Sequence, residues 1–210
     1  ASAKTLNLIG SKKALPNLVE AFRTDSDPVV QGSSAGAMAT IGEPAIDHLL
    51  QILVEPSCTA FQVGLINLAL SFIGSKAPDA FDQATQSDNV EIRIAAITVL
   101  AEQIQSQTNK SAKNTLINAF SDQASEVRAE AATMAGKTLE PEEACNHLCK
   151  MLKDESDQVR KNTSLALMKM EAKDAIGKIQ DAIKAEKDEQ VKSVMLSLIH
   201  ISEPTRLVSI

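Results

Sequence analysis

The stretch Ser121–Gly136, SDQASEVRAEAATMAG, decides the fold. A polar turn carries Asp122, the pair Val127-Arg128 follows, then an alanine-rich run, and Gly136 ends it. Val127, Ala131, Met134 and Ala135 fall at the helical period of 3.6 residues. Just upstream, Leu116, Ile117 and Phe120 form a second apolar stripe, so the unit reads as helix, turn, helix. Ile46, Leu49, Leu50 and Leu53 show the same stripe at i, i+3, i+4 and i+7.

Working outward, the unit recurs. Aligned with Val127-Arg128 are Val30-Gln31, Phe61-Gln62, Ile92-Arg93, Val159-Arg160 and Val191-Lys192, at successive steps of 31, 31, 35, 32 and 32 residues. Six residues before the second member of each pair stand Asp25, Pro56, Ser87, Asp122, Asp154 and Glu186. Five of these carry oxygens suited to the exposed N–H groups or positive end of a helix. Self-similarity at this period implies stacked helical hairpins. The expectation is an all-α, right-handed α-solenoid of about six hairpins. A helix of about 12 residues is roughly 18 Å long, too short to be stable alone, so stacking must supply the stability.

Punctuation agrees with this division. Pro16 and Pro44 sit near helix starts, where a missing N–H costs nothing. Gly42, Gly74 and Gly136 are expected to close second helices. The one long step is assigned to an extended polar loop, Gln103–Ser111. A single repeat domain is expected over residues 1–195. Within it, residues 1–10 read as the tail of a preceding second helix, because Thr5–Lys12 mirrors Leu70–Lys76. Residues 196–210 are expected to be an extension: Leu196–Arg206 resembles the in-frame translation of a transposase sequencing adaptor, so His200 is given no function. Val191, Val194, Met195, Leu198 and Ile199 still make a usable helical stripe.

Composition narrows the function classes. Of 210 residues, 44% are apolar and 23% charged, with five Phe and no Trp or Tyr, so Ala, Leu, Ile, Val and Met must build the core. A net charge of −6 argues against nucleic acid, which needs clustered Lys and Arg. The longest apolar run falls well short of a membrane span. Three Cys without framework spacing fit a reducing compartment; cytoplasm or plastid stroma is the expected location.

Candidate chemistry is sparse. Cys145-Asn146-His147-Leu148-Cys149 offers thiols and an imidazole, which are zinc ligands. Cys145, Leu148, Cys149 and Leu152 share one helical stripe, however, and His147 lies about 200° around the helix from Cys145. Core packing is the favoured reading. His48 lies off its helix's stripe with no partner at ligand spacing. Gly32, Gly36 and Gly64 fall inside helices rather than in a phosphate-binding loop. No catalytic and no metal-ligating residue is assigned. Gly32 and Gly36, with Ser33, Ser34 and Ala35, leave one helix almost without side-chain bulk, at about 1 kcal/mol per glycine. Close helix contact is the first explanation and a smooth partner surface the second. The ladder Gln31, Gln62, Arg93, Arg128, Arg160 and Lys192 reads first as ties between repeats and second as partner contacts. The candidate partner-binding set is therefore Gly32, Gly36, Gln62, Arg93 and Arg128.

The signature Asp-x-x-x-Glu-Val-Arg-x-x-Ala-Ala at Asp122–Ala132 resembles a HEAT-type repeat. IGEPAIDHLLQIL (Ile41–Leu53), GLINLALSFIGSKAPDAF (Gly64–Phe81) and VEIRIAAITVLAEQIQ (Val90–Gln105) are similar to phycobilin lyases of the E/F type and related phycobilisome proteins. The resemblance covers roughly Leu15–Met195. It implies a lyase subunit or lyase-associated chaperone that binds a phycobiliprotein subunit during bilin attachment, with a paired repeat subunit. Stacked short helices create an extended concave surface, so the inner row of second helices is the expected binding face. Any enzyme activity the resemblance implies is that of a bilin:apoprotein lyase acting with a partner. No tightly bound cofactor is expected, only a transient phycobilin. The missing Trp and Tyr depart from a pigment-holding surface and shift weight toward the apoprotein. The alternative is a non-enzymatic scaffold for an antenna or other protein.

Overall fold

The structure, a computed structural model, describes residues 12–106 and 111–202, and every regular element among them is helical. Eleven α-helices are present in that span, as the two-stripe repeat requires. The chain divides into two units, residues 1–109 and 110–210, the break falling at the long step between repeats.

In the first unit, α1 (Leu15–Thr24) and α2 (Pro28–Ile41) form one hairpin, and α3 (Ile46–Leu53) and α4 (Ala60–Lys76) the next. Leu15, Leu18, Val19 and Phe22 bury the inner stripe of α1. Ile46, Leu49 and Leu50 do the same for α3, with Ile52 beside them. The third repeat departs from the expected pair of helices. Two 3-10 turns, Pro78–Phe81 and Ala84–Gln86, replace its first helix before α5 (Val90–Ser106). The segment Ala77–Asn89 has Pro at its start and only Phe81 as a large apolar anchor, too little to stabilise a full first helix. Helix α2 packs on α1 and α4, and α4 on α5.

The second unit holds α6 (Ala112–Asn118), α7 (Ser125–Thr138), α8 (Pro141–Met151), α9 (Asp157–Lys169), α10 (Ile176–Ala185) and α11 (Glu189–Ser202). Helix α9 packs along both α7 and α11. Val127, Ala131, Ala135, Val159 and Met195 are fully enclosed, which matches the stripes read from the sequence.

Several local expectations change. Gly42 does close α2, in the left-handed region at φ 85°, where glycine escapes the Cβ penalty. Gly74 and Gly136 do not end helices; α4 and α7 each run two residues further. A Cβ on Gly74 would lie 2.5 Å from Val99 Cγ1, and one on Gly136 2.7 Å from Ala166 Cα. These two glycines let α4 approach α5 and α7 approach α9. The loop expected over Gln103–Ser111 begins later: residues 103–106 are the last turn of α5, held by buried Gln103, whose Nε2 donates to Gly74 O at 3.1 Å. Residues 107–110 and the expected tail at 1–10 lie outside the described residues. Past Met195, α11 continues through Ser202; the side chains of Leu198, Ile199 and His200, and residues 203–210, also lie outside.

The second repeat is shifted by one residue from its expected alignment. Val30, Ile92, Val127, Val159 and Val191 all stand three residues after their helix's N-cap position. In α4 the N-cap is Thr59, so Gln62, not Phe61, occupies that place. Phe61 is accordingly 51% exposed, and Gln62 is buried.

Candidate functional site

The loop residues work differently from simple helix caps. Asp25, Ser87, Asp122, Asp154 and Glu186 each accept, through the side chain, the backbone N–H two residues on. The actual caps stand at that second position: Asp27, Asn89, Ser156 and Asp188 accept N–H groups of the following helix. The loop carbonyls then receive the ladder side chains. Gln31 Nε2 donates to Asp25 O at 2.8 Å, Arg93 Nη1 to Ser87 O at 2.7 Å, Arg128 Nη1 to Asp122 O at 2.9 Å, and Arg160 Nη1 to Asp154 O at 3.0 Å.

In the second unit the ladder also crosses between repeats. Arg128 Nε and Nη2 donate to both carboxylate oxygens of Asp154 at 2.8 Å. Arg160 does the same to Glu186 at 2.7 and 2.8 Å. Bidentate, charge-assisted pairs of this kind are the strong class of hydrogen bond. The Arg160 bonds hold the Glu186 carboxyl at about 2, against burial and with help from backbone N–H groups. Burial works to raise Asp154, but the Arg128 bond and the Ser156 N–H outweigh it and leave it lowered. Gln62 makes a neutral tie: its Nε2 donates to Phe22 O of the preceding repeat at 3.0 Å, while its Oε1 accepts from Thr59 N at 3.0 Å.

The five candidate residues therefore separate. Gln62, Arg93 and Arg128 are buried and bonded inside the repeats: Gln62 and Arg128 reach a neighbouring repeat, and Arg93 the carbonyls of its own loop. Gly32 and Gly36 lie instead in a groove of about 370 Å³ between α2 and α4, with Ala35, Ala39, Thr40, Leu65, Leu68, Ala69 and Phe72. A Cβ at Gly32 would meet nothing within 4 Å, so close helix contact does not account for that glycine. Helix α2 carries no charged residue and α4 only Lys76, whose ammonium lies 4.1 Å over the Phe72 ring. Val29, Phe61, Leu68 and Phe72 on these helices are exposed, Leu68 by 70%. Leu68 and Phe72 thus give the groove an exposed apolar wall, a feature common at partner-binding faces. Leu68 and Phe72 were missed in the sequence; their i, i+4 spacing opposite the buried Ile66, Leu70 and Ile73 was the available signal.

The two thiols are also not where the stripe placed them. Leu148 and Leu152 are buried, but Cys145 and Cys149 are only half-buried, with their sulfurs 3.7 Å apart. Burial, then the neighbouring Cys145, pushes the Cys149 thiol up to about 11. His147 is exposed and tilts against Phe120.

Paired helices repeating every 31–35 residues, tied by a side-chain ladder from loop to loop, define an α-helical repeat protein. The model of the family described as HEAT repeats matches residues 77–167 and 114–199, more than half of the chain, and the chain belongs to that family. Over 196 residues it is 63% identical to the bilin biosynthesis protein MpeU of Synechococcus sp. strain WH8020, a match that takes in 93% of this chain and 66% of that protein. The chain thus spans just under two thirds of that relative's length. Among solved structures, an engineered protein superposes with a TM-score of 0.50 at 18% identity, over 90% of this chain and 96% of its own. Human deoxyhypusine hydroxylase in complex with glycerol gives 0.50 at 17% identity, over 97% and 78%. At such identities the likeness is one of fold. Among the described residues no helix is long and apolar enough to cross a membrane.

Proposed function

We propose that this chain is a phycobilin lyase subunit or lyase-associated chaperone, and that it binds a phycobiliprotein subunit through the α2–α4 groove. The observation that carries the reading is the apolar α2–α4 face, with Lys76 the one charged side chain on the two helices and with Leu68 and Phe72 exposed, on a chain 63% identical to a bilin biosynthesis protein. The face suits a protein better than a free pigment. Phe72 is the one ring in the groove, and the shallow wall of Gly and Ala fits the ridge of a partner helix. The pigment, a phycobilin, is then held transiently, between this chain, the apoprotein and a paired repeat subunit. The setting that follows from the relative's organism is the cyanobacterial cytoplasm.

The test is co-expression with apo-phycobiliprotein subunits and a bilin source, with and without a paired repeat subunit. Covalent pigment that depends on this chain supports the lyase role. Capture of the subunit without pigment supports the scaffold alternative. Absence of both across the available subunits overturns the proposal.

A further inference from the structure

The second helices of the first unit differ in charge from one side of α4 to the other. Aligned on their N-caps Asp27, Thr59 and Asn89, α2, α4 and α5 place Val29, Phe61 and Glu91 two residues on. Thirteen residues on they place Thr40, Phe72 and Glu102. The two positions are eleven residues apart, three turns or about 17 Å along one helix face. Helix α4 packs on both α2 and α5, so its exposed apolar row has an uncharged neighbour on one side and an acidic one on the other. Glu91 and Glu102 are exposed, whereas Arg93, the third charged residue of α5, is buried against the carbonyls of its own loop.

We propose that the α2–α4 groove takes an amphipathic helix of the phycobiliprotein subunit that carries Lys or Arg on the flank facing Glu91 and Glu102. The inference rests on the partner-binding reading of the groove and adds the chemistry of the surface that the partner presents.

Charge balance supports a cationic partner. Residues 1–109 hold 11 of the chain's 27 acidic residues but only 6 of its 21 basic ones. Apart from buried Arg93, Lys76 is the one cation on α2, α4 and α5, and its ammonium lies over the Phe72 ring. A negative field beside an apolar groove steers and holds a basic surface and rejects an acidic one. Glycine placement supports a helix. Gly32 and Gly64 both stand five residues after their N-caps, and a Cβ on either would meet nothing within 4 Å. Both positions forgo Ala, the better helix former, and leave room for a helix axis to approach to about 8–10 Å. On a helix that runs along the groove, cations about eleven positions apart meet Glu91 and Glu102 together.

The experiment measures capture of the phycobiliprotein subunit by the full chain at low and at high sodium chloride. Wild type and Leu68→Glu are compared with the double variants Glu91→Gln/Glu102→Gln and Glu91→Lys/Glu102→Lys, with helicity checked in each. The neutral double variant should weaken capture about three- to tenfold at low salt, as expected for two exposed ion pairs, and lose most of the salt dependence. The reversed variant should bind more weakly still. Hydrogen exchange on the captured subunit should show protection on a helix with Lys or Arg beside its apolar face. If Leu68→Glu weakens capture while both charge variants bind as wild type does, the groove stands and the basic helix is refuted. Protection confined to loops or to an acidic helix refutes it equally. Capture indifferent to Leu68→Glu removes the groove itself, and absence of any capture removes the reading beneath the inference; either result overturns it.

Discussion

Replacing Glu186 by Gln tests whether the ladder stabilises the second unit through charge. The Glu186 side chain is 2% exposed and the Arg160 side chain 17%, so solvent screens the pair little. Holding the carboxyl at about 2 rather than 4.5 corresponds to about 3 kcal/mol, at roughly 1.4 kcal/mol per pH unit. The substitution keeps an oxygen acceptor but leaves the Arg160 charge without its counterion. A loss of about 2–3 kcal/mol at neutral pH is expected, in line with breaking one partner of an enclosed pair.

The pH dependence gives the sharper reading. Glu186 is an acid whose folded value is depressed, so its contribution is complete above about 4.5 and is lost as pH falls toward about 2. Urea unfolding of wild type and Glu186→Gln across that window, read by helical circular dichroism, isolates the residue as the difference between the two curves. The gap should be constant at neutral pH, narrow below 4.5 and close near 2. A gap that stays the same across the window would show that the loss is one of shape or hydrogen bonding and that charge contributes nothing.

Three further outcomes are expected. Gly136→Ala should destabilise the chain by about 1–3 kcal/mol, although Ala is the better helix former, because the added Cβ meets the Ala166 backbone; unchanged or raised thermal stability would refute close packing there. Leu68→Glu should leave helicity intact, since the side chain is 70% exposed, and weaken capture of the phycobiliprotein subunit by about tenfold or more, given roughly 1.5–3 kcal/mol for burying a Leu; binding that survives removes the groove from the interface. Truncation after Met195 should leave capture unchanged and lower stability modestly, as Val191 and Met195, two buried residues of α11, are retained.

The helical hairpins were legible because apolar stripes and loop acids recur at nearly constant spacing, and the pairs Arg128–Asp154 and Arg160–Glu186 follow directly from that alignment. The second repeat misaligned because Phe61 mimics the apolar member of the pair. Thr59-x-x-Gln62 is a capping-box signature, and reading it would have set the register correctly and removed Gln62 from the candidate surface. Gly74 and Gly136 were misread for a different reason. A glycine near the end of a stripe has the same local sequence whether it stops a helix or admits a neighbour, and only the facing Val99 and Ala166 distinguish the two. The α2–α4 groove was half legible: its glycines stood out by their cost, but its walls, Leu68 and Phe72, are ordinary residues until the buried face of α4 is known.

Gly32 provides the most discriminating test of the groove. At Gly74 and Gly136 the helix penalty of glycine is offset by helix approach that a Cβ would block. At Gly32 nothing lies within 4 Å of the missing Cβ, so a penalty of about 1 kcal/mol relative to Ala has no counterpart inside the unit. On the proposed reading the constraint comes from outside the fold, from a partner docked against α2. Gly32→Ala should raise stability by about 1 kcal/mol and affect capture little, while Gly32→Met should keep that stability and weaken capture by filling the groove. A loss of stability in Gly32→Ala would place the constraint back within the unit. Full capture by Gly32→Met, with its helicity intact, would show that the partner docks elsewhere.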